Sequence, residues 1–143
     1  DTLGNNDIFM KKSTDNGLTW VWQQISNNAG NSQSPVLAVD NTNAIYVVWQ
    51  DNTLGSNDIF MKKSTDNGVT WVWQQISNNA GNSQLPVLAV DNTNAIYVVW
   101  QDDTLTPGNS DIFMKKSTDN GLTWVWQQIS NNAGNSIMPA ITK

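Results

Sequence analysis

Twelve aspartates are the only acids in this 143-residue chain, and three of them recur in one repeated phrase. Asp15, Asp66 and Asp119 hold the same place in STDNGLTW (Ser13 to Trp20), STDNGVTW (Ser64 to Trp71) and STDNGLTW (Ser117 to Trp124). A carboxylate set between a serine and a threonine can exchange protons with a substrate, or it can cap its own turn. The rest of the reactive inventory is thin. All seven basic residues are lysines, six of them in the pairs Lys11/Lys12, Lys62/Lys63 and Lys115/Lys116, and the only phenols are Tyr46 and Tyr97. Arginine, glutamate, histidine and cysteine are absent. The chain therefore lacks the side chain that titrates most readily near neutral pH and the readiest thiolate nucleophile. It also has no disulfide. Proton transfer and covalent catalysis would fall to aspartate, lysine, tyrosine, serine and threonine, and catalysis is not expected.

The other candidates are binding residues. Asp51 and the pair Asp102–Asp103 offer oxygen ligands of the kind calcium prefers, but solvated loop acids beside turn asparagines are the expected reading, with no metal and no cofactor. Of eight tryptophans, Trp20, Trp71 and Trp124 end the phrase, and Trp49 and Trp100 sit in apolar runs suited to filling a core. Trp22, Trp73 and Trp126 are the least committed to packing and could stack on the C–H face of a sugar ring. A net charge of −5 provides no basic field for nucleic acid or an anionic membrane. No apolar run approaches the length needed to span a bilayer.

The elements that position these residues repeat with a period of about 51 residues. Asp7 to Gln50 matches Asp58 to Gln101 except at Leu18/Val69 and Ser34/Leu85. The units run 1–50, 51–101 and 102–143, the last interval lengthened by two where DDTLTPGNSD replaces DNTLGSND. Each unit holds four strand-like runs, rich in residues that suit a pleated surface. PVLAV (Pro35 to Val39) is continuously apolar, which predicts burial on both faces. AIYVVWQ (Ala44 to Gln50) alternates with both faces largely apolar. DIFMKKS (Asp7 to Ser13) turns polar at its lysines. TWVWQQIS (Thr19 to Ser26) sets Trp20 and Trp22 on one face. Turn residues separate the runs, no helical periodicity is evident, and the chain is all-β.

Four antiparallel strands falling in hydrophobicity from first to last describe a blade of a β-propeller. The phrase Ser-x-Asp-x-Gly-x-Thr-Trp resembles the Asp-box (BNR) repeat of sialidase-like propellers, and SPVLAVDNTNAIYVVWQD resembles the first two strands of such blades. The resemblance covers nearly the whole chain. It implies that Ser13, Asp15, Gly17, Thr19 and Trp20 form the hairpin between a blade's third and fourth strands. Ser64, Asp66, Gly68, Thr70 and Trp71 would do so in the next blade, and Ser117, Asp119, Gly121, Thr123 and Trp124 in the last. The chemistry agrees: Asp-Asn-Gly tolerates positive φ, the carboxylate can accept the turn's own N–H groups, and tryptophan can bury the turn. The family's sialidases grip substrate with three arginines and use a tyrosine–glutamate pair with an aspartic acid. This chain has neither arginine nor glutamate, lysine is a poor substitute for the guanidinium fork, and sialidase activity is not carried over.

Three units fall short of the usual four to eight blades. The strand runs begin on a third strand and end on a first (MPAITK), about eleven in all, with the second strand of the last unit missing. The favoured expectation is a homodimer that closes a six-bladed ring through both chains' termini; an incomplete composite blade, a fragment of a longer array and a ring of another stoichiometry are the alternatives the missing strand leaves open. The role expected is a structural or interaction scaffold, natural by recent amplification or built from one template. The alternative is a glycan-binding, lectin-like module, extracellular or on a cell surface if natural.

Overall fold

The computed structural model describes residues 4–142; Asp1 to Leu3 and Lys143, which fall in the first and last units, lie outside the described residues. Ten strands form three antiparallel sheets, with no helix among the described residues. β1 (Phe9–Lys12) and β2 (Val21–Gln24) make a two-stranded sheet. β3 (Ser32–Val39), β4 (Ile45–Asp51), β5 (Asp58–Ser64) and β6 (Val72–Gln75) make a second in the order β3-β4-β5-β6. β7 (Ser83–Val90), β8 (Ile96–Thr106), β9 (Asn109–Ser117) and β10 (Val125–Gln128) make a third in the order β10-β9-β8-β7. The sheets are thus out of phase with the sequence units: each full sheet takes its first two strands from one unit and its last two from the next.

Period-two alternation explains how the sheets stack. β4 is buried along its whole length, because its two apolar faces enter different cores. Tyr46 and Val48 join Ile59, Met61, Val90, Ile96, Val98 and Trp100 in the core between the second and third sheets. Ile45, Val47 and Trp49 join Ile8, Ile25 and Phe60 in the core against the first sheet. A one-residue slip of β4 would exchange the two sets.

Two expectations about the first strand of the unit are corrected. Burial peaks on the second strand, not the first: Leu37 and Val39 of β3 are about half exposed. β3 lies at a sheet edge, and that side faces the two-stranded sheet, which has no strands equivalent to β3 and β4 to cover it. The strand also starts earlier than Pro35. A bulge between Gln33 and Val36 lets it run through the proline, with Ser34 at φ 51°, and Leu85 repeats this in β7 at φ 49°. The eleventh strand is likewise absent among the described residues. Met138 adopts the same positive φ, 56°, and its N–H meets the Gln101 Oε1 at 3.2 Å, yet residues 137–142 have no second strand to pair with. The two-residue insertion of the last unit lengthens β8 and β9, which meet at a Pro107–Gly108 turn with Thr106 opposite Asn109.

Candidate functional site

The three phrases lie at equivalent hairpins: between β1 and β2, between β5 and β6, and between β9 and β10. Asn16 and Gly17 both take positive φ, 55° and 87°, which turns the chain sharply back on itself. Asp15 Oδ1 accepts from the Ser13 hydroxyl and from the Thr19 N–H, both at 2.8 Å, and Oδ2 accepts from the Thr19 hydroxyl. The Ser13 oxygen accepts in turn from the Gly17 N–H at 2.7 Å. Asp66 and Asp119 repeat the pattern through Ser64/Thr70 and Ser117/Thr123. These hydrogen bonds, led by the threonine hydroxyl, hold all three carboxyls down at about 2. A carboxylate stabilised in its ionised form is a weak base and a poor proton donor near neutral pH. Its chemistry is spent inside its own turn.

The tryptophans that end the phrase differ between copies. Trp20 and Trp71 donate Nε1–H to the Gly17 and Gly68 carbonyl oxygens at 3.1 Å. Trp20, however, is exposed instead of burying its turn, while Trp71 and Trp124 are half-buried. The Trp124 indole nitrogen is buried without a partner; the Gly121 oxygen accepts instead from Gln74 Nε2 at 2.6 Å. Gln23 Nε2 makes the same bond to the Gly68 oxygen. Lys12 Nζ reaches the Asn67 carbonyl at 3.2 Å and Lys63 Nζ the Asn120 carbonyl at 3.1 Å. Each of these bonds crosses from one sheet to the turn of the next. Sequence reasoning missed this second use of the phrase, although WQQ and KK recur with it in every unit.

Asp51 and Asp102 are not the solvated loop acids expected. Both are fully buried, and both gather the loop that follows the second strand of their sheet. Asp51 accepts from Asn28 Nδ2 at 2.7 Å, Trp49 Nε1 at 3.3 Å, the Ser32 hydroxyl, and the Thr53 N–H and hydroxyl. Asp102 does the same with Asn79, Trp100, Ser83 and the Thr104 N–H. Burial pushes these carboxyls up, but the donors outweigh it and hold both below the usual range. Asp103 takes the Asn82 N–H at 2.6 Å. These oxygens are engaged by the loops and do not converge on an empty centre. Tyr46 and Tyr97 hydroxyls donate to Asp40 and Asp91, and burial together with the Asp40 bond pushes the Tyr46 phenol well above its usual value.

The outer tryptophans are arranged differently. Trp22, Trp73 and Trp126 are each more than half exposed on the last strand of their sheets. Each packs on a phenylalanine of the neighbouring strand: Trp22 and Trp73 stack on Phe9 at 5.0 Å and Phe60 at 5.5 Å between ring centroids, and Trp126 lies tilted against Phe113 at 5.6 Å. In the two full sheets the ladder continues inward to Trp49 and Trp100, at 6.2 and 6.3 Å. Trp73 also lines a cleft of about 250 Å³ with Asn28, Asp51, Thr53, Leu54 and Phe60.

No family model and no curated protein matches the chain. Among solved structures it is similar to a mutant of the α-L-arabinofuranosidase Arb93A from Fusarium graminearum, in complex with an iminosugar inhibitor, with a TM-score of 0.65 at 17% identity. The match covers 94% of this chain and 44% of the enzyme, so the chain spans less than half of its length. At that identity the likeness speaks to fold alone: the chain is an all-β assembly of antiparallel sheets, similar to part of a β-propeller-like glycosidase.

Proposed function

We propose that this chain is a segment of an Asp-box β-propeller that acts as a non-catalytic structural or interaction scaffold and completes its ring with copies of itself. The observation that carries the reading is the use of the repeated carboxylates. Asp15, Asp66 and Asp119 each accept three hydrogen bonds within their own turn. The stacking of antiparallel sheets through two-sided strands supports radial blades, and the half-exposed Leu37 and Val39 mark a blade face awaiting cover. A homodimer of six blades is the simplest closure. Light scattering tests it: the expected mass is twice the 15.8 kDa of one chain, and a stable monomer rejects it. Turnover of a fluorogenic sialoside or arabinofuranoside above background would remove the non-catalytic reading.

A second reading rests on Trp22, Trp73 and Trp126, whose indoles remain more than half exposed after stacking. An aromatic face beside polar groups suits a sugar ring, and symmetric sites would gain from linkage. A glycan array with all three replaced by alanine tests it. Retained ligands that vanish in the variant support a lectin; no ligand, or binding indifferent to the change, removes it.

A further inference from the structure

The repeat makes it possible to read a missing neighbour from two sheets in which that neighbour is present. β5 and β9 are each flanked on both sides, by β4 and β6 and by β8 and β10. β1, their counterpart, pairs with β2 alone, leaving its other edge open among the described residues. An open edge of this kind is a template for one more strand.

Four further features around that edge are incomplete in the same sense. Phe60 and Phe113 lie between two tryptophans and are each 4% exposed, whereas Phe9 stacks on Trp22 alone and is 40% exposed. Lys63 and Lys116 lie over the Tyr46 and Tyr97 rings at 5.4 and 4.9 Å, a cation–π contact; Lys12 has no tyrosine opposite it. Leu88 and Val90 pack with Tyr46 and Val48 of the sheet before them, but Leu37 and Val39 are about half exposed. The Leu85 and Met138 N–H groups meet Gln50 and Gln101 Oε1 of the preceding second strand; Ser34, the residue in the same bulge of β3, faces no such glutamine. Of these residues, Lys12, Leu37 and Val39 line one groove of about 610 Å³ together with Met10, Trp20 and Ile45 among others.

We infer that the groove beside β1 binds a single added β-strand with the chemistry of Ile45–Asp51, Ile-Tyr-Val-Val-Trp-Gln-Asp, which the described residues do not supply there. The inference rests on the propeller reading above and names the strand that a two-chain ring lacks. In that ring, residues 137–142 of a second copy would bring a first strand, and β1 and β2 the third and fourth. The register follows from β4 on β5 and β8 on β9. Isoleucine lies opposite Ser13, tyrosine opposite Lys12, the two valines opposite Lys11 and Met10, and tryptophan opposite Phe9. The glutamine then comes opposite Ile8, within the role that Gln50 plays for Leu85. Main-chain pairing supplies affinity, and the alternating side chains supply choice of partner.

The test uses the intact chain and a synthetic peptide, DNTNAIYVVWQD, that copies Asp40 to Asp51. Hydrogen exchange of the β1 amides is followed with the peptide, with a scrambled peptide, and with a peptide carrying the W49A change; light scattering is run on the same samples. The expected result is at least tenfold slower exchange at Phe9 and Lys11, whose N–H groups face away from β2, with the native peptide, a loss of that effect when it is scrambled, and at least tenfold weaker binding with W49A. Unchanged exchange, or equal protection by the scrambled peptide, overturns the inference. So does a dimer whose β1 amides are already protected, because a second copy would then occupy the edge. A monomer whose β1 is protected by the native peptide keeps the inference and rejects the dimer; a dimer whose exposed β1 ignores the peptide does the reverse.

Discussion

Gln74 Nε2 donates to the carbonyl oxygen of Gly121 at 2.6 Å, tying the last strand of one sheet to the turn of the next. The bond shows that the repeated turn does two things at once: it closes its own hairpin and it accepts its neighbour. Replacing Gln74 with alanine is expected to destabilise the chain by about 1 kcal/mol, the net worth of one such hydrogen bond. Gln127, on β10 at the outer sheet, is exposed and has no following sheet to reach among the described residues. Its replacement is expected to leave the urea midpoint within error, so equal effects at Gln74 and Gln127 would refute the inter-sheet role.

Acid should loosen the turns in a defined window. Asp15, Asp66 and Asp119 have folded values of about 2, below the ordinary carboxyl value of 3.8, because threonine and serine donors stabilise the ionised form. For groups depressed on folding, the contribution to stability is full above the unfolded value and is lost as pH falls through the folded one. Urea midpoints should therefore decline between about pH 4 and pH 2. Changing all three aspartates to asparagine should lower the midpoint at pH 7 and flatten that acidic limb; an unchanged slope would show that other groups govern it.

Gly81 and Gly134 are the same residue of successive units in different surroundings. A Cβ on Gly81 would lie 2.5 Å from the backbone nitrogen of Thr104, whereas at Gly134 the nearest atom is 3.9 Å away. Gly81→Ala should cost about 1–3 kcal/mol through overpacking against main chain, and Gly134→Ala should be tolerated. Thermal melts of the two variants check this directly.

Removing the buried hub at Asp51 should be among the most damaging single changes. Alanine there would strand donors from Asn28, Ser32, Trp49 and Thr53, at a cost of about 3 kcal/mol or more. Because those donors already surround the carboxylate, addition of calcium or EDTA should leave the melting temperature of the unmodified chain unchanged. A calcium-dependent rise would show that the loop serves a metal.

Much of the architecture was legible in the residues themselves. Asn-Gly at the phrase, the alternation in AIYVVWQ and the 51-residue period act through local backbone preference and side-chain direction, so strands, turns and repeat could be read from one unit. What the local sequence could not carry was burial, because burial belongs to the neighbour. Phe9 and Phe60 sit in the same DIFMKK segment, yet one is open and the other enclosed. Trp20 and Trp71 end the same phrase with different exposure, and Leu37 lies in an apolar run that no strand covers among the described residues. The loop acids Asp51 and Asp102 are buried for the same reason: beside local donors, each is closed over by an asparagine and a serine from a linker some twenty residues away. Sequence by itself determined the unit and its fastener. Only the tertiary structure decided which copies of each face are covered, since removing apolar surface from water requires a second surface in place.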